Sequence, residues 1–291
     1  MTSPLLARSG SPPHVIPYQG SKRALAPVLL ALLRERLAGR PVRRLYEPFA
    51  GSAALSLAAA HQRVAQAHIV ADAYPPLMAL WRRVVSEPQA LASDYAELWR
   101  QCDYHAVRAA FNREPRPAAL LYLLTRCVKA AVRFNRQGEF NQAPDRRRRG
   151  TQPERMQRQI HAAAALLQAR CELRLGDALA TTGDAGPGDV CYLDPPWHGT
   201  SVGRDSRYAS GYSAAALEQL VAQLHGRGVL VLLSYDGERA GRDFARPLPD
   251  SLERIRLPAQ RSAQATLLGR EEWTAESLYV TRQAAPAPLA G

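Results

Sequence analysis

The stretch Leu45-Tyr46-Glu47-Pro48-Phe49-Ala50-Gly51-Ser52, followed by the small-residue run 53–60, decides the fold of this chain. Residues 45–49 read as a strand, 50–52 as a tight turn, and 53–60 as a helix whose small side chains pack closely on a sheet. Such a turn lets a cofactor approach the backbone, with a helix N-terminus beyond it. No GxGxxG is present, and any α/β protein has several turns of this kind, so the turn takes its meaning from its neighbours in the chain. A second strand, His68-Ile69-Val70-Ala71-Asp72, ends on an acid about 20 residues beyond Gly51, the separation at which α/β cofactor domains place a ribose-binding carboxylate. Asp72 is expected to hold a ribose hydroxyl pair; the plainer alternative is a strand-end acid that caps the next helix.

Downstream, the apolar run Val190-Cys191-Tyr192-Leu193 ends in Asp194-Pro195-Pro196-Trp197. Alone, an Asp-Pro-Pro turn is an ordinary strand exit. Beside the Glu47 motif it points to methyl transfer onto an unreactive NH2. The amine of adenine, or of a carboxamide, has its lone pair delocalised into a π-system. A carboxylate and a backbone carbonyl that accept its two N–H protons draw that pair out of conjugation and aim it at a cationic methyl donor. Asp194 and the Pro195 carbonyl suit this task. Pro195 and Pro196 fix φ near −65° and offer no backbone donor, which keeps a carbonyl turned toward a site. Trp197 offers a flat face for stacking a planar group.

Between and beyond these motifs, helical periodicity covers 25–37, 76–86, 89–101, 117–130 and 153–169, while 171–175, 189–193 and 228–234 read as buried strands. Strands alternating with helices predict an α/β fold with a mainly parallel sheet covered on both faces. The length allows one large core and an embedded subdomain. The expected organisation is a leader at 1–13, a catalytic domain from 14–85 and 171–283, an inserted, mostly helical substrate-recognition subdomain at 86–170, and a tail at 284–291. Residues 132–144 are turn-rich, with Phe134, Asn135, Phe140 and Asn141 flanking Gly138 as in a hairpin, and Asp145 leads into Arg146-Arg147-Arg148-Arg149.

With these pieces in place the chain resembles the Dam-type DNA adenine-N6 methyltransferases, those whose cofactor motif precedes the target-recognition segment and whose DPP[YW] motif comes last. The resemblance runs roughly from residue 17 to 282. It rests on Pro17-Tyr18-Gln19-Gly20-Ser21-Lys22-Arg23, the Glu47 motif, Asp72, Arg133-Phe134-Asn135 with Gly138-Glu139-Phe140-Asn141, Asp194 to Trp197, and the tail pieces Ser262-Ala263-Gln264-Ala265-Thr266 and Glu276-Ser277-Leu278-Tyr279. The tail pieces look most like restriction-modification members. The resemblance implies a Rossmann-like class I methyltransferase sheet and S-adenosylmethionine as cofactor. Tyr18, Lys22, Glu47, Phe49, Gly51, Asp72 and Asp177 would form its site, with Phe49 and Gly51 at the methionine end, Asp72 at the ribose and Asp177 at the adenine. Asp194 would lie between methyl donor and target amine. Two positions depart from the family pattern: Trp197 replaces the usual Tyr, and Lys129-Ala130-Ala131-Val132 stands where many members have an Asn-Gly or Lys-Gly turn.

The implied partner is double-stranded DNA with the target base flipped out. Arg133, Asn135 and Asn141 would act at the hairpin, and Arg146, Arg147 and Arg148 would hold phosphates, which fix position without reading sequence. The net charge of +12 and pI of about 10.1 agree with a polyanionic partner, although an Arg- and Ala-rich composition also raises both. Two alternatives stay open: the same chemistry on Asn side-chain amides of a precursor peptide, and a silent nucleic-acid-binding relative. Cys102, Cys127, Cys171 and Cys191 form no CxxC and the histidines show no metal spacing, which predicts reduced thiols and no metal. No apolar stretch has the length of a membrane span, and a cytoplasmic location is expected.

Overall fold

The computed structural model describes residues 10–101, 103–195, 213–239, 242–243, 251–256, 260–261 and 273–282, which fall in two compact units, Met1–Gly183 and Asp184–Gly291. In the first, α1 (Ala26–Arg36) precedes β1 (Val42–Glu47), α2 (Ala54–His61) and β2 (Ala65–Asp72). A helical run comes next: α3 (Pro75–Ser86), α4 (Pro88–Gln101), α5 (Tyr104–Arg113), α6 (Pro117–Arg126) and α7 (Pro153–Leu167). Then come β3 (Cys171–Leu175) and the single turn α8 (Ala178–Thr181). The strands are parallel in the order β3-β2-β1, with Glu47 beside Val70 and Asp72 beside Leu175. Parallel neighbours require a crossover, which α2 supplies between β1 and β2 and the run α3 to α7 supplies between β2 and β3. Residues His68, Ile69, Val70 and Ala71 are all buried, the continuous burial of a strand covered on both faces.

In the second unit β4 (Val190–Leu193) is followed by α9 (Ala214–Gly226) and β5 (Leu230–Arg239), which runs parallel to β4. Beyond it lie the short β6 (Arg242–Asp243), then β7 (Leu252–Arg256), the short β8 (Gln260–Arg261) and β9 (Trp273–Thr281). β9 is antiparallel to both β5 and β7. The architecture is therefore the expected Rossmann-like α/β arrangement with mainly parallel strands.

Packing modifies the sequence reading in four places. The segment 86–170 packs on what precedes it: Leu91, Tyr95, Phe111, Leu120 and Ile160 share one apolar core with Val70 of β2 and Trp81 of α3. Residues 10–13, read as leader, are tied down, for Pro13 is buried and the Gly10 carbonyl meets Nε2 of His61 at 3.0 Å. The helix expected over 117–130 stops at Arg126. The chain there pairs with the returning segment, Val128 N–H donating to Ala143 O at 3.0 Å and Asp145 N–H to Arg126 O at 2.8 Å, and it turns through Lys129 and Ala130 at φ 60° and 51°. Thus two non-glycine residues in succession take the left-handed conformation at this turn. Finally, α5 and α9 are absent from the periodicity reading, although each opens on a side-chain cap, Asp103 Oδ1 accepting from Ala106 N–H at 3.0 Å and Ser213 Oγ from Ala216 N–H at 3.1 Å.

One buried group gives the fold a pH dependence. His68 is fully buried on β2, neither ring nitrogen has a hydrogen-bond partner among the described residues, and burial, aided by the Arg170 cation, lowers its pKa to about 4. The unfolded imidazole takes a proton near its ordinary value of 6.5. Stability is therefore full above that value and drains away as pH falls toward 4. By linkage the loss between about pH 7.5 and about pH 5 is about 2 kcal/mol. His68→Leu removes this dependence and sacrifices no hydrogen bond, so it is expected to lose about 2 kcal/mol less than wild type over that interval in urea unfolding. Equal pH dependence in the two proteins would refute the assignment.

Candidate active site

The turn after β1 is held from several sides. Gly51 has φ +48°, and a Cβ there would lie 3.1 Å from Cδ1 of Tyr18, so both the backbone conformation and the stacked ring demand glycine. Its N–H donates to Oδ2 of Asp72 at 3.1 Å, and its carbonyl accepts from Nε1 of the buried Trp81 on α3 at 3.0 Å. Ala50 N–H reaches Ala71 O at 2.9 Å, tying the turn to the end of β2. The hydroxyls of Ser52 and Ser21 meet at 2.7 Å, which anchors the N-terminal segment bearing Tyr18 and Lys22. The Lys22 ammonium is buried and donates to Gly20 O at 3.2 Å. Phe49 is half-buried at the mouth of the same turn.

Glu47 meets the helix that follows the turn. Its carboxylate faces the start of α2, accepting from Ser56 N–H at 2.8 Å and Leu55 N–H at 3.4 Å. The helix has no side-chain cap, since Ala53 at φ 47° fills the N-cap position, and the buried carboxylate takes over that duty where the helix dipole favours negative charge. Glu47 thus shapes the turn from behind.

Asp72 joins the strand-end and capping readings. Oδ2 holds the Gly51 N–H, and Oδ1 accepts from Tyr74 N–H at 3.0 Å, where Tyr74 is the N-cap of α3. Burial raises its pKa, opposed by the N–H groups of Gly51, Tyr74 and Ala73. A carboxylate has about four acceptor positions. The N–H groups of Gly51, Tyr74 and Ala73 leave at least one of them open. Gly176 N–H donates to Asp72 O at 3.2 Å, bringing the end of β3 alongside. Asp177 is exposed there and caps α8, its Oδ1 accepting from Ala180 N–H at 3.0 Å, and the apolar Leu175 and Leu179 stand exposed around it.

The hairpin expected near Gly138 is present. Phe134 and Phe140 face each other in an antiparallel bridge, Asn141 N–H bonds Arg133 O at 2.9 Å, and Asn135 N–H bonds Glu139 O at 2.9 Å. Asn135 spends its side chain inside the turn, with Oδ1 accepting from Gln137 and Glu139 N–H and Nδ2 donating to Glu139 Oε2. Arg133 and Asn141 remain exposed. Phe134 stacks edge-on against Tyr74 at 5.5 Å, so the hairpin rests two residues from Asp72. In the arginine run, Arg147 and Arg148 lean on Asp145 at 3.5 and 3.3 Å, while Arg146 and Arg149 are exposed with no ion pair among the described residues. Three residues absent from the sequence reading, Tyr104, Arg108 and Asn112 on α5, hold this hairpin; their signal was helical spacing of four beside an Asp cap.

In the second unit β4 is buried throughout, Tyr192 OH and Ser234 Oγ join it to β5 at 2.8 Å, and the strand delivers half-buried Asp194 and buried Pro195 at its carboxyl end. Pro196 and Trp197 lie outside the described residues, as do residues 262–266. Cys127, Cys171 and Cys191 are free thiols whose pKa values burial raises, to about 11 for Cys127 and about 12 for Cys171. Among the described residues no His, Cys, Asp and Glu group is placed to hold a metal ion, and no helix is long and apolar enough to cross a membrane.

Comparison with known proteins matches residues 18–263 to the family described as D12 class N6 adenine-specific DNA methyltransferase. The chain is similar to the DNA N-6-adenine-methyltransferase of Escherichia phage P1, 29% identical over 211 residues that cover 67% of this chain and 27% of that protein. It is also similar to the retron Ec67 DNA adenine methylase of Escherichia coli, 28% identical over 199 residues that cover 65% of each. The aligned region thus spans less than two thirds of either relative. Among solved structures, yhhF of Escherichia coli overlaps 89% of this chain and 88% of its own at 13% identity and a TM-score of 0.38.

Proposed function

Because the chain belongs to the D12 class N6 adenine-specific DNA methyltransferase family, we propose that it transfers a methyl group from S-adenosylmethionine to the N6 amine of adenine in double-stranded DNA. The observation that carries this reading is the closed Gly51 turn with Asp72 beside it: a bare backbone, a carboxylate with spare acceptor positions, and exposed apolar side chains at Leu175 and Leu179 suit a nucleoside-bearing cofactor. In this role Asp72 takes the ribose hydroxyls, Tyr18 and Phe49 flank the methionine end, and Lys22 braces the N-terminal segment. Asp177 would serve the adenine end.

When bound, the cofactor supplies a methyl group on a positively charged sulfur. Asp194 and the Pro195 carbonyl would accept hydrogen bonds from the two amine N–H groups, hold the nitrogen lone pair out of conjugation and leave it free to attack the methyl carbon. Asp194 would act as an orienting acceptor and would need no strong basicity, because the amine would give up its proton to water only once the new N–C bond had replaced the C–S bond. Alignment and fixed electrostatics provide the acceleration. A stacked adenine is out of reach, so the base is flipped at a cost of roughly a few kcal/mol, which stacking on Trp197 and phosphate contacts offset. Arg133, Arg146, Arg147 and Arg148 supply those contacts, with Asn141 at the hairpin edge. No observation favours a peptide amide as acceptor. The resemblance of the tail pieces to restriction-modification members supports a restriction or defence setting, with the DNA met in the cytoplasm.

Incubation with methyl-labelled cofactor tests the reading. Label is expected in N6-methyladenine of unmethylated plasmid DNA and absent from an Asn-rich peptide. If six phosphates are neutralised, log K falls with log salt at a slope of about −5. Failure to label any DNA at low salt would remove the proposal.

A further inference from the structure

Helix α5 completes the hairpin as a third strand would. A two-stranded hairpin has two open edges and is marginal by itself. In the segment 139–142, Glu139 and Asn141 turn their backbone groups inward to Asn135 and Arg133, so Phe140 and Gln142 turn theirs outward. That outer edge meets α5. Asn112 Oδ1 accepts from Phe140 N–H at 2.9 Å and its Nδ2 donates to Phe140 O at 3.1 Å. One turn earlier, Arg108 Nη1 reaches Gln142 O at 3.4 Å, and Tyr104 OH donates to the same carbonyl at 2.9 Å. Residues 104, 108 and 112 keep a spacing of four, one stripe of the helix. Phe111 adds an edge-on contact with Phe140 at 5.9 Å.

A primary amide offers one donor and one acceptor in the geometry of a peptide group, so Asn112 reproduces the paired bonds of a β-ladder with a single side chain. We infer that Asn112 is a positioning residue that fixes the shape of the Arg133–Asn141 hairpin and thereby sets how strictly the enzyme selects the sequence around its target adenine. The inference rests on the reading that this hairpin contacts DNA. Asn112 itself touches neither cofactor nor reacting atoms, and its effect passes through Phe140 to the exposed Arg133 and Asn141 and to Phe134, which rests on Tyr74.

The test compares wild type with Asn112→Ala and Asn112→Asp. Hydrogen exchange at the amides of Asn135 and Asn141 reports the hairpin without any substrate and is expected to accelerate about tenfold in Asn112→Ala. On unmethylated plasmid DNA read by sequencing of N6-methyladenine, that variant is expected to raise KM about tenfold at nearly unchanged kcat and to spread methylation into contexts one base removed from the preferred one. Asn112→Asp keeps the acceptor for Phe140 N–H but sets a carboxylate against Phe140 O. Its selectivity is expected to recover relative to wild type as pH falls and the protonated acid regains a donor, a pH response that a general loss of stability does not give. Unchanged exchange and unchanged context selectivity in both variants would overturn the inference. Wild type that methylates no DNA while the variants still exchange faster would overturn the DNA reading instead, and with it the link to selectivity.

Discussion

Asp194→Ala is expected to lower methyl transfer by about 10³-fold or more while leaving cofactor affinity within about threefold of wild type. The reason lies in what the amine lacks. Its lone pair is shared with the ring, and the side chain at 194 is the charged one of the two acceptors that draw it out. The strand delivering it is buried from Val190 to Leu193 and pinned through Tyr192 and Ser234, so most of its support lies outside residue 194. Single-turnover transfer measured beside equilibrium binding of labelled cofactor separates the two quantities. Wild-type turnover in the variant would end the mechanism.

The second large effect is the reverse one. Asp72→Ala is expected to weaken cofactor binding by about 100-fold, the equivalent of losing two hydrogen bonds to a charged group. The carboxylate also fastens Gly51 N–H and the start of α3, so its loss loosens the turn that the cofactor would lie against. Because burial raises the Asp72 pKa, wild-type affinity should fall as pH drops through that raised value, where a protonated acid gives up an acceptor position. Asp72→Asn should bind weakly and show no such inflection. Binding isotherms across the acidic range check both outcomes, and an Asp72→Ala protein of unchanged affinity would place the ribose elsewhere.

Much of the fold, and the elements that carry the candidate site residues, are legible from residues alone because the relevant signals are local. A glycine turn after one strand and an acid ending the next are features that strand-turn-helix patterning exposes, whereas the Tyr18 ring against Gly51 appears only in the fold. The family resemblance is borne out by the match over residues 18–263. For Glu47 the residues leave the partner open, since a carboxylate in such a motif looks the same in sequence whatever it meets; the fold brings the N–H groups of Leu55 and Ser56 to it. The helix expected through Ala130 ends early although nothing in Lys129-Ala130 signals a break; the break comes from pairing with Ala143 and Asp145.

The sequence by itself determined the alternation of strands and helices, the Gly51 turn and the acids that end β2 and β4, since hydrophobic period and turn chemistry act over a few residues. Only the tertiary structure decided that 86–170 shares the core of β2, that α6 stops early, and that Asn112 stands in for a strand beside Phe140. The last of these joins groups 28 residues apart in the chain. A buried N–H or carbonyl takes whatever partner packing brings to it, and that partner is invisible until the chain has folded.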